Sequence, residues 1–259
     1  MGLLTGVRAV VVGIANKRSM AWGIAQAFDR EGAELIVTYQ SDRLKENLDK
    51  LIPELSHAPL TIPLDVTVPG NLERFQDQME HAWPDGAHVL VHSMAHAKRE
   101  DLEGRFVDTS WDGYMLAQNV SAYSLTALSR AMLPSFEKAG SGSVITLTYE
   151  GATRVIPNYN VMGVAKAALE SSVRYLALDL GKDHIRVNAI SAGAVKTLAA
   201  AGVKGISTAL HAVTTKAPIP ENISIDDVGN AAVFLASPWS RRITGQILFV
   251  DSGMHIMGA

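Results

Sequence analysis

Seven short, continuously apolar runs, each followed by a longer segment of helical periodicity, restrict this chain more than any other feature of its sequence. They occupy residues 9–14, 34–38, 60–64, 89–92, 144–147, 185–190 and 247–250. A strand apolar at every position, as in Ala9-Val10-Val11-Val12, has to be covered by helices on both faces. Helical segments read at 21–31, 44–55, 72–82, 111–136, 159–180 and 226–236 supply that cover. The expected fold is α/β, a Rossmann-type doubly wound parallel sheet of about seven strands. With 259 residues, 47% hydrophobic and 19% charged, residues 1–259 are expected to form a single domain.

Composition removes several functions. A net charge of −3 without a lysine or arginine run gives no footprint for nucleic acid or an anionic membrane. The absence of cysteine excludes disulfides, thiolate metal sites and a cysteine nucleophile, and is compatible with a cytosolic enzyme. The opening residues carry no basic segment leading into a long apolar stretch, and no run approaches the roughly 20 residues that span a bilayer. A soluble, unprocessed protein is expected.

One stretch breaks the rhythm. Residues 196–224 are rich in Ala and Thr, end near Ala217-Pro218-Ile219-Pro220 and contain no obvious strand. An excursion of that length in a compact domain is more often a lid over a site than an idle loop, and a substrate-binding lid is expected there.

The first strand runs into Gly13-Ile14-Ala15-Asn16-Lys17-Arg18-Ser19-Met20-Ala21-Trp22-Gly23 and then a helix. Such a turn lets backbone approach a pyrophosphate, with Ser19 and the first helical amides donating to its oxygens. The glycines are wider apart than in G-x-G-x-x-G, so packing alone remains an alternative reason for them. The second strand ends at Gln40, where an acid would bond adenosine ribose hydroxyls and an arginine would receive a 2′-phosphate. A neutral Gln40 admits NADH, and nearby Arg43 keeps NADPH open. Leu64-Asp65-Val66 closes the third strand with an acid suited to the adenine amino group, or to capping a helix. The fourth strand ends in His92-Ser93-Met94-Ala95-His96-Ala97, at the edge where a ligand lies. His92 and His96 are four residues apart, but no nearby cluster completes a metal site, and none is expected.

Tyr159 precedes Lys166 by seven residues. At 3.6 residues per turn they share a face and can address one ligand. A nearby ammonium is expected to favour the phenol's anion and strengthen it as a donor, and lysine can also hold ribose hydroxyls. A surface tyrosine and lysine on an amphipathic helix would read the same way.

Taken together these segments resemble the enoyl-[acyl-carrier-protein] reductase family, a divergent branch of the short-chain dehydrogenase/reductases. The resemblance covers nearly the whole chain. It rests on the Gly13-to-Gly23 turn with Ser19, Thr38-Tyr39-Gln40, Leu64-Asp65-Val66, His92-Ser93, Tyr149, Ile156-Pro157-Asn158-Tyr159-Asn160-Val161-Met162-Gly163, Lys166, Arg174-Tyr175, Asn188-Ala189-Ile190-Ser191-Ala192-Gly193 and Lys196-Thr197-Leu198-Ala199. The branch spaces its tyrosine and lysine seven apart, where the wider superfamily spaces them four apart.

The resemblance implies NADH-dependent reduction of the trans-2 double bond of an enoyl thioester on acyl carrier protein, with coenzyme A as another possible carrier. Hydride goes to the β carbon, Tyr159 stabilises the enolate oxygen, Lys166 binds the nicotinamide ribose, and Tyr149 is the second active-site tyrosine or an aromatic packed beneath the lid. It assigns cofactor contacts to Gly13, Ser19, Met20, Gln40, Asp65, Val66, Met94, Val195, Lys196, Thr197, Leu198 and Ala199. Ala97 goes to the substrate side, and a cytoplasmic homotetramer built on the long helices is implied.

The chain departs from the family's pattern at His96, where a bulky aromatic is usual, and at Ala194, where proline is usual. The lid keeps only Lys204 of the basic residues common in relatives, and Pro220-Glu221 replaces a frequent arginine pair. Slower, less salt-sensitive association with an acidic carrier protein is expected. Two rivals stand beside this reading: another reductase of the superfamily acting on a carbonyl, opposed by the seven-residue spacing, and a non-catalytic dinucleotide sensor, opposed by the retained Tyr149, Tyr159 and Lys166.

Overall fold

The computed structural model describes residues 2–195 and 206–258, and of Ile206 only its backbone. Seven strands form one sheet: β1 (Arg8–Val12), β2 (Glu34–Tyr39), β3 (Leu60–Pro63), β4 (Val89–His92), β5 (Gly142–Thr148), β6 (Ile185–Ala192) and β7 (Ile247–Val250). Every neighbouring pair is parallel, in the order β3-β2-β1-β4-β5-β6-β7. This is the expected doubly wound sheet. The order reverses between β1 and β4, and there the carboxyl ends of the strands open a crevice.

Alternation along each strand feeds two cores. Ala9, Val11, Leu35, Val37, Val89 and Val91 face one side, where α1 (Met20–Arg30) and a late helix (Ile225–Ala236) cover them. Val10, Val12, Ile36, Leu90, Val144 and Val187 face the other. There α3 (Asn71–Ala82), α5 (Ser124–Ala139) and α6 (Asn160–Leu180) close the layer. A Cβ on Gly23 would stand 2.5 Å from the carbonyl oxygen of Ile225, and one on Gly229 would stand 2.7 Å from that of Gly23. Gly23 therefore serves the packing of α1 on the late helix, the role of the last glycine in a dinucleotide turn.

Three helices differ from the sequence reading. The segment read at 44–55 runs as α2 (Asp42–Leu51) and tightens into a 3₁₀ turn over Ile52–Glu54, because Pro53 has no amide to continue the α-helical ladder. Asp42 and Arg43 thus begin α2. The helix read at 111–136 is interrupted: α4 (Trp111–Gln118) passes through a π-helical turn at Asn119–Tyr123 before α5. Periodicity cannot register this insertion, since the apolar stripe resumes after it. In the stretch expected as a lid, Ile206–Lys216 is a helix, α7, which the Thr-rich sequence concealed. Leu210 and Val213 are buried on it, and Ala217 is buried just after it. The late helix Ile225–Ala236 is α8, opened by a reciprocal capping pair between Ser224 and Asp227.

Candidate active site

The expected site residues that can be placed converge on the carboxyl edge of the sheet. Gly13 follows β1 with φ +102°, and a Cβ there would stand 1.9 Å from the carbonyl oxygen of Ser93, just after β4. Only glycine permits β1 and β4 to part this closely at the crevice. Ser19 is the residue before α1, and its hydroxyl donates to the carbonyl of Asn16 at 2.7 Å, closing the turn. The first turn of α1 holds Met20 and no acidic residue. Lys17 and Arg18 stand exposed before it. Unpaired helix amides and positive charge make this donor set fit a pyrophosphate.

At the far end of the crevice, the Gln40 amide donates to Asp65 Oδ2 at 3.0 Å, joining the tips of β2 and β3. Asp65 Oδ1 also accepts from the backbone and hydroxyl of Thr67, at 2.9 and 2.7 Å. Burial pushes this carboxyl up, yet the hydrogen bonds from Thr67 and Gln40 outweigh it and hold the pKa below the usual aspartate value. Asp65 caps no helix, because α3 begins at Asn71 behind Gly70. Val66 and Met94 are partly buried against the second core, and Val195 is half-buried beyond β6. Lys196, Thr197, Leu198, Ala199 and Lys204 lie outside the described residues.

Tyr149 directly follows β5, and Tyr159 stands just before α6, its carbonyl accepting from the amides of Met162 and Gly163. Their rings meet edge to face, with centroids 5.2 Å apart and planes at 74°. Gly151 makes room for this: a Cβ there would lie 2.6 Å from Tyr159 Cδ1 and 3.3 Å from Tyr149 Cδ1. Gly163 in turn accommodates the Gly151 carbonyl, which a Cβ would meet at 2.9 Å. Neither glycine's role was apparent from the sequence. Ala97 packs with Tyr159 in a small cluster that includes Ala117, Val161, Met162 and Ala165. The residue expected on the substrate side and the Tyr159 ring therefore pack against one cluster.

Lys166 lies on α6 and is 6% exposed. Its ammonium donates to the carbonyl of Leu147 in β5 at 2.8 Å. Burial pulls its pKa down to about 8, opposed by the charge of Glu170. The expectation that this ammonium would lower the phenol is not met. Burial, with Tyr149 adding to it, raises the Tyr159 hydroxyl above the ordinary tyrosine value. Desolvation of the anion dominates, so the phenol stays a neutral donor.

His92 and His96, read as a doubtful metal pair, part company. His92 is 1% exposed and its ring lies between Thr146 Oγ1 and Ser124 Oγ, each at 2.8 Å. The His96 side chain is exposed, while its backbone amide donates to Ser121 Oγ in the π turn at 2.9 Å. Ser121, Ser124 and Thr146 lie in elements whose sequence gave no sign of a contact with this loop.

The comparisons agree with the geometry. A sequence model of the family described as "Enoyl-(Acyl carrier protein) reductase" matches residues 13–255. The enoyl-[acyl-carrier-protein] reductase [NADH] FabI of Bacillus cereus is 47% identical over 259 residues, covering all of both chains. That of Aquifex aeolicus is 45% identical over 258 residues, covering all of this chain and 94% of the relative. Among solved structures, the Bacillus cereus reductase with NADP+ and indole naphthyridinone superposes with a TM-score of 0.96 at 46% identity, over all of both chains. The Anaplasma phagocytophilum reductase in complex with NAD gives 0.94 at 41% identity, over all of this chain and 97% of the other. With a full-length match and a site built from the residues that carried the resemblance, this chain belongs to the enoyl-[acyl-carrier-protein] reductase family.

Proposed function

We propose that this protein reduces the trans-2 double bond of enoyl thioesters with NADH, as its curated relatives' names describe for them. The observation that carries the reading is the Tyr159–Tyr149 pair, set in the wall of the crevice beside Ala97 in a chain of this family. The Gly13 turn, Ser19 and the α1 amides would hold the pyrophosphate, Gln40 and Asp65 the adenosine, and Lys166 the nicotinamide ribose. Met20, Val66, Met94 and the 195–199 segment would complete the walls. When bound, NADH supplies the hydride.

The chain's own residues stabilise the enolate that results, and uptake of a proton at its α carbon completes the reduction. Tyr159, a neutral phenol, donates a hydrogen bond to the thioester oxygen and strengthens it as negative charge gathers there, the interaction that acts most on the transition state. Tyr149 braces that ring in its edge-on seat. The 196–224 segment serves as a lid on the one domain. Its far end is tied down where Ile219 N donates to the Ser252 carbonyl at 3.2 Å and Ser252 Oγ to the Glu221 carbonyl at 2.6 Å.

The thioester is carried by acyl carrier protein, with coenzyme A thioesters as weaker substrates, and NADPH is the poorer reductant because no arginine stands at the tip of β2. The working form is a cytoplasmic homotetramer. In support, α5 and α6 border a groove of about 810 Å³ lined by Thr126, Ala168, Ser172, Tyr175, Leu176 and Leu178. Tyr175 is 74% and Leu178 82% exposed, an apolar surface suited to a second copy. No helix among the described residues is long and apolar enough to cross a membrane.

The deciding assay follows NADH and NADPH oxidation with crotonyl thioesters of acyl carrier protein and coenzyme A, in the wild type and in Tyr159→Phe. Turnover of enoyl but not ketoacyl thioesters is expected. Cofactor binding without turnover would mark a sensor, and equal turnover by the variant would remove the phenol's role.

A further inference from the structure

We infer that His92 is a positioning residue for the substrate wall, acting through the π turn between α4 and α5. The inference rests on the enoyl reductase reading, since it concerns how that reading's site is held.

A neutral imidazole has one N–H and one lone pair, so its two hydroxyl neighbours must play opposite roles. Burial pulls His92 down to about 3, which keeps the ring neutral. Ser124 has one proton, and the hydroxyl lies 2.6 Å from the Val120 carbonyl inside the π turn. Ser124 Oγ therefore accepts from His92 Nε2–H. Nδ1 is then the acceptor and takes the Thr146 proton at 2.8 Å, in preference to the His92 carbonyl at 3.2 Å. The result is a single directed chain from Thr146 in β5, through His92 at the tip of β4, to Ser124 and Val120.

The chain ends where the π turn does its work. One residue beyond Val120, the fully buried Ser121 accepts from the His96 amide at 2.9 Å, and its hydroxyl lies 3.2 Å from the His96 carbonyl. The turn thus grips the backbone between Met94 and Ala97, and Ala97 packs against the same small cluster as Tyr159. π turns recur at functional sites because the inserted residue re-aims side chains, and here it aims Ser121. An uninterrupted helix would rotate Ser121 or Ser124 off its partner. His92 touches neither substrate nor cofactor; it fixes the turn that fixes the wall.

Two isosteres separate the two ends of the ring. Glutamine can place a donor near Nε2 and keep the bond to Ser124, whereas asparagine reaches only the Thr146 side. Under this inference His92→Asn and Ser124→Ala each raise KM for the enoyl thioester roughly tenfold, the worth of one hydrogen bond. Their kcat falls less than about threefold, and the Kd for NADH, read by fluorescence, rises by less than KM does, since Met94 is the one proposed cofactor contact in the gripped stretch. Amide exchange at His96, followed by mass spectrometry, quickens in both variants, and His92→Gln returns KM and exchange to near wild-type values. Equal KM values for the Asn and Gln variants would overturn the inference, as would unaltered exchange at His96 in Ser124→Ala. Ser124→Ala removes no ring from the core and decides the matter if the Asn variant fails to fold. Failure of the underlying reading looks different: wild-type enzyme would not turn over the thioester at all.

Discussion

The ring of Tyr159 stands edge-on to that of Tyr149, centroids 5.2 Å apart, in a seat that exists because residue 151 has no side chain. The phenol is held in place by carbon contacts and kept neutral by burial. In the proposed reaction its part is therefore to donate a hydrogen bond. Tyr159→Phe keeps the ring and removes the donor, so kcat should fall roughly 10²- to 10³-fold with NADH binding intact. Steady-state turnover and a fluorescence titration of NADH on the same preparation check this.

Gly151→Ala tests the seat. With the new methyl 2.6 Å from Tyr159 Cδ1, the ring must shift, and kcat should drop by up to roughly 10²-fold although no reacting group has been removed. The KM for NADH should change little, since the proposed function puts the displaced ring on the substrate side. An active variant with wild-type kcat would mean that the ring's position is not critical.

Lys166 gives a pH signature. Its pKa is about 8 in the folded chain against 10.5 for an exposed lysine, so between these pH values the unfolded state binds more protons. Stability then rises with pH across that window, by about 3 kcal/mol in total, and is flat with respect to this group below it. Urea denaturation of the cofactor-free protein at pH 7 to 10 should show that rise relative to Lys166→Met, in which the slope is absent. The same variant should bind NADH more weakly at pH 7, where the ammonium is present in the wild type.

Cofactor choice should turn on the Gln40–Asp65 pair. Gln40→Arg alone would set the new guanidinium against the Asp65 carboxylate, 3.0 Å from the amide it replaces, and little NADPH use should appear. Combined with Asp65→Asn, the arginine is released toward a 2′-phosphate, and kcat/KM for NADPH should rise roughly tenfold or more relative to NADH. Initial rates with both cofactors settle it.

Carrier association should be slow and weakly dependent on salt, because the sequence keeps few basic residues at 196–224. Glu221 is exposed and its side chain is free to be exchanged without disturbing the core. Glu221→Arg should speed association with acyl carrier protein severalfold at low ionic strength and steepen its salt dependence. Stopped-flow measurements at about 20 and 200 mM salt, between which the screening length falls from roughly 21 to 7 Å, would expose a wild-type chain that already associates fast and salt-sensitively.

The strands, the order of elements and the segments of the site were legible in the sequence because they rest on local pattern. Strands buried on both faces must be apolar throughout, and a dinucleotide turn needs glycine where backbones approach, as at Gly13 against Ser93. The seven-residue step from Tyr159 to Lys166 likewise marks one helix face before any fold is known. What the sequence left undetermined depends on groups far apart in the chain. The π turn at 119–123 shows no break in periodicity, and its purpose appears only when Ser121 meets residue 96 and Ser124 meets His92 across 32 positions. The protonation of Tyr159 went the other way from the local expectation, since a neighbouring lysine can be read from spacing while burial cannot. Spacing thus pointed to which groups would share the site; their packing against β5 and the π turn decided the surroundings of each one.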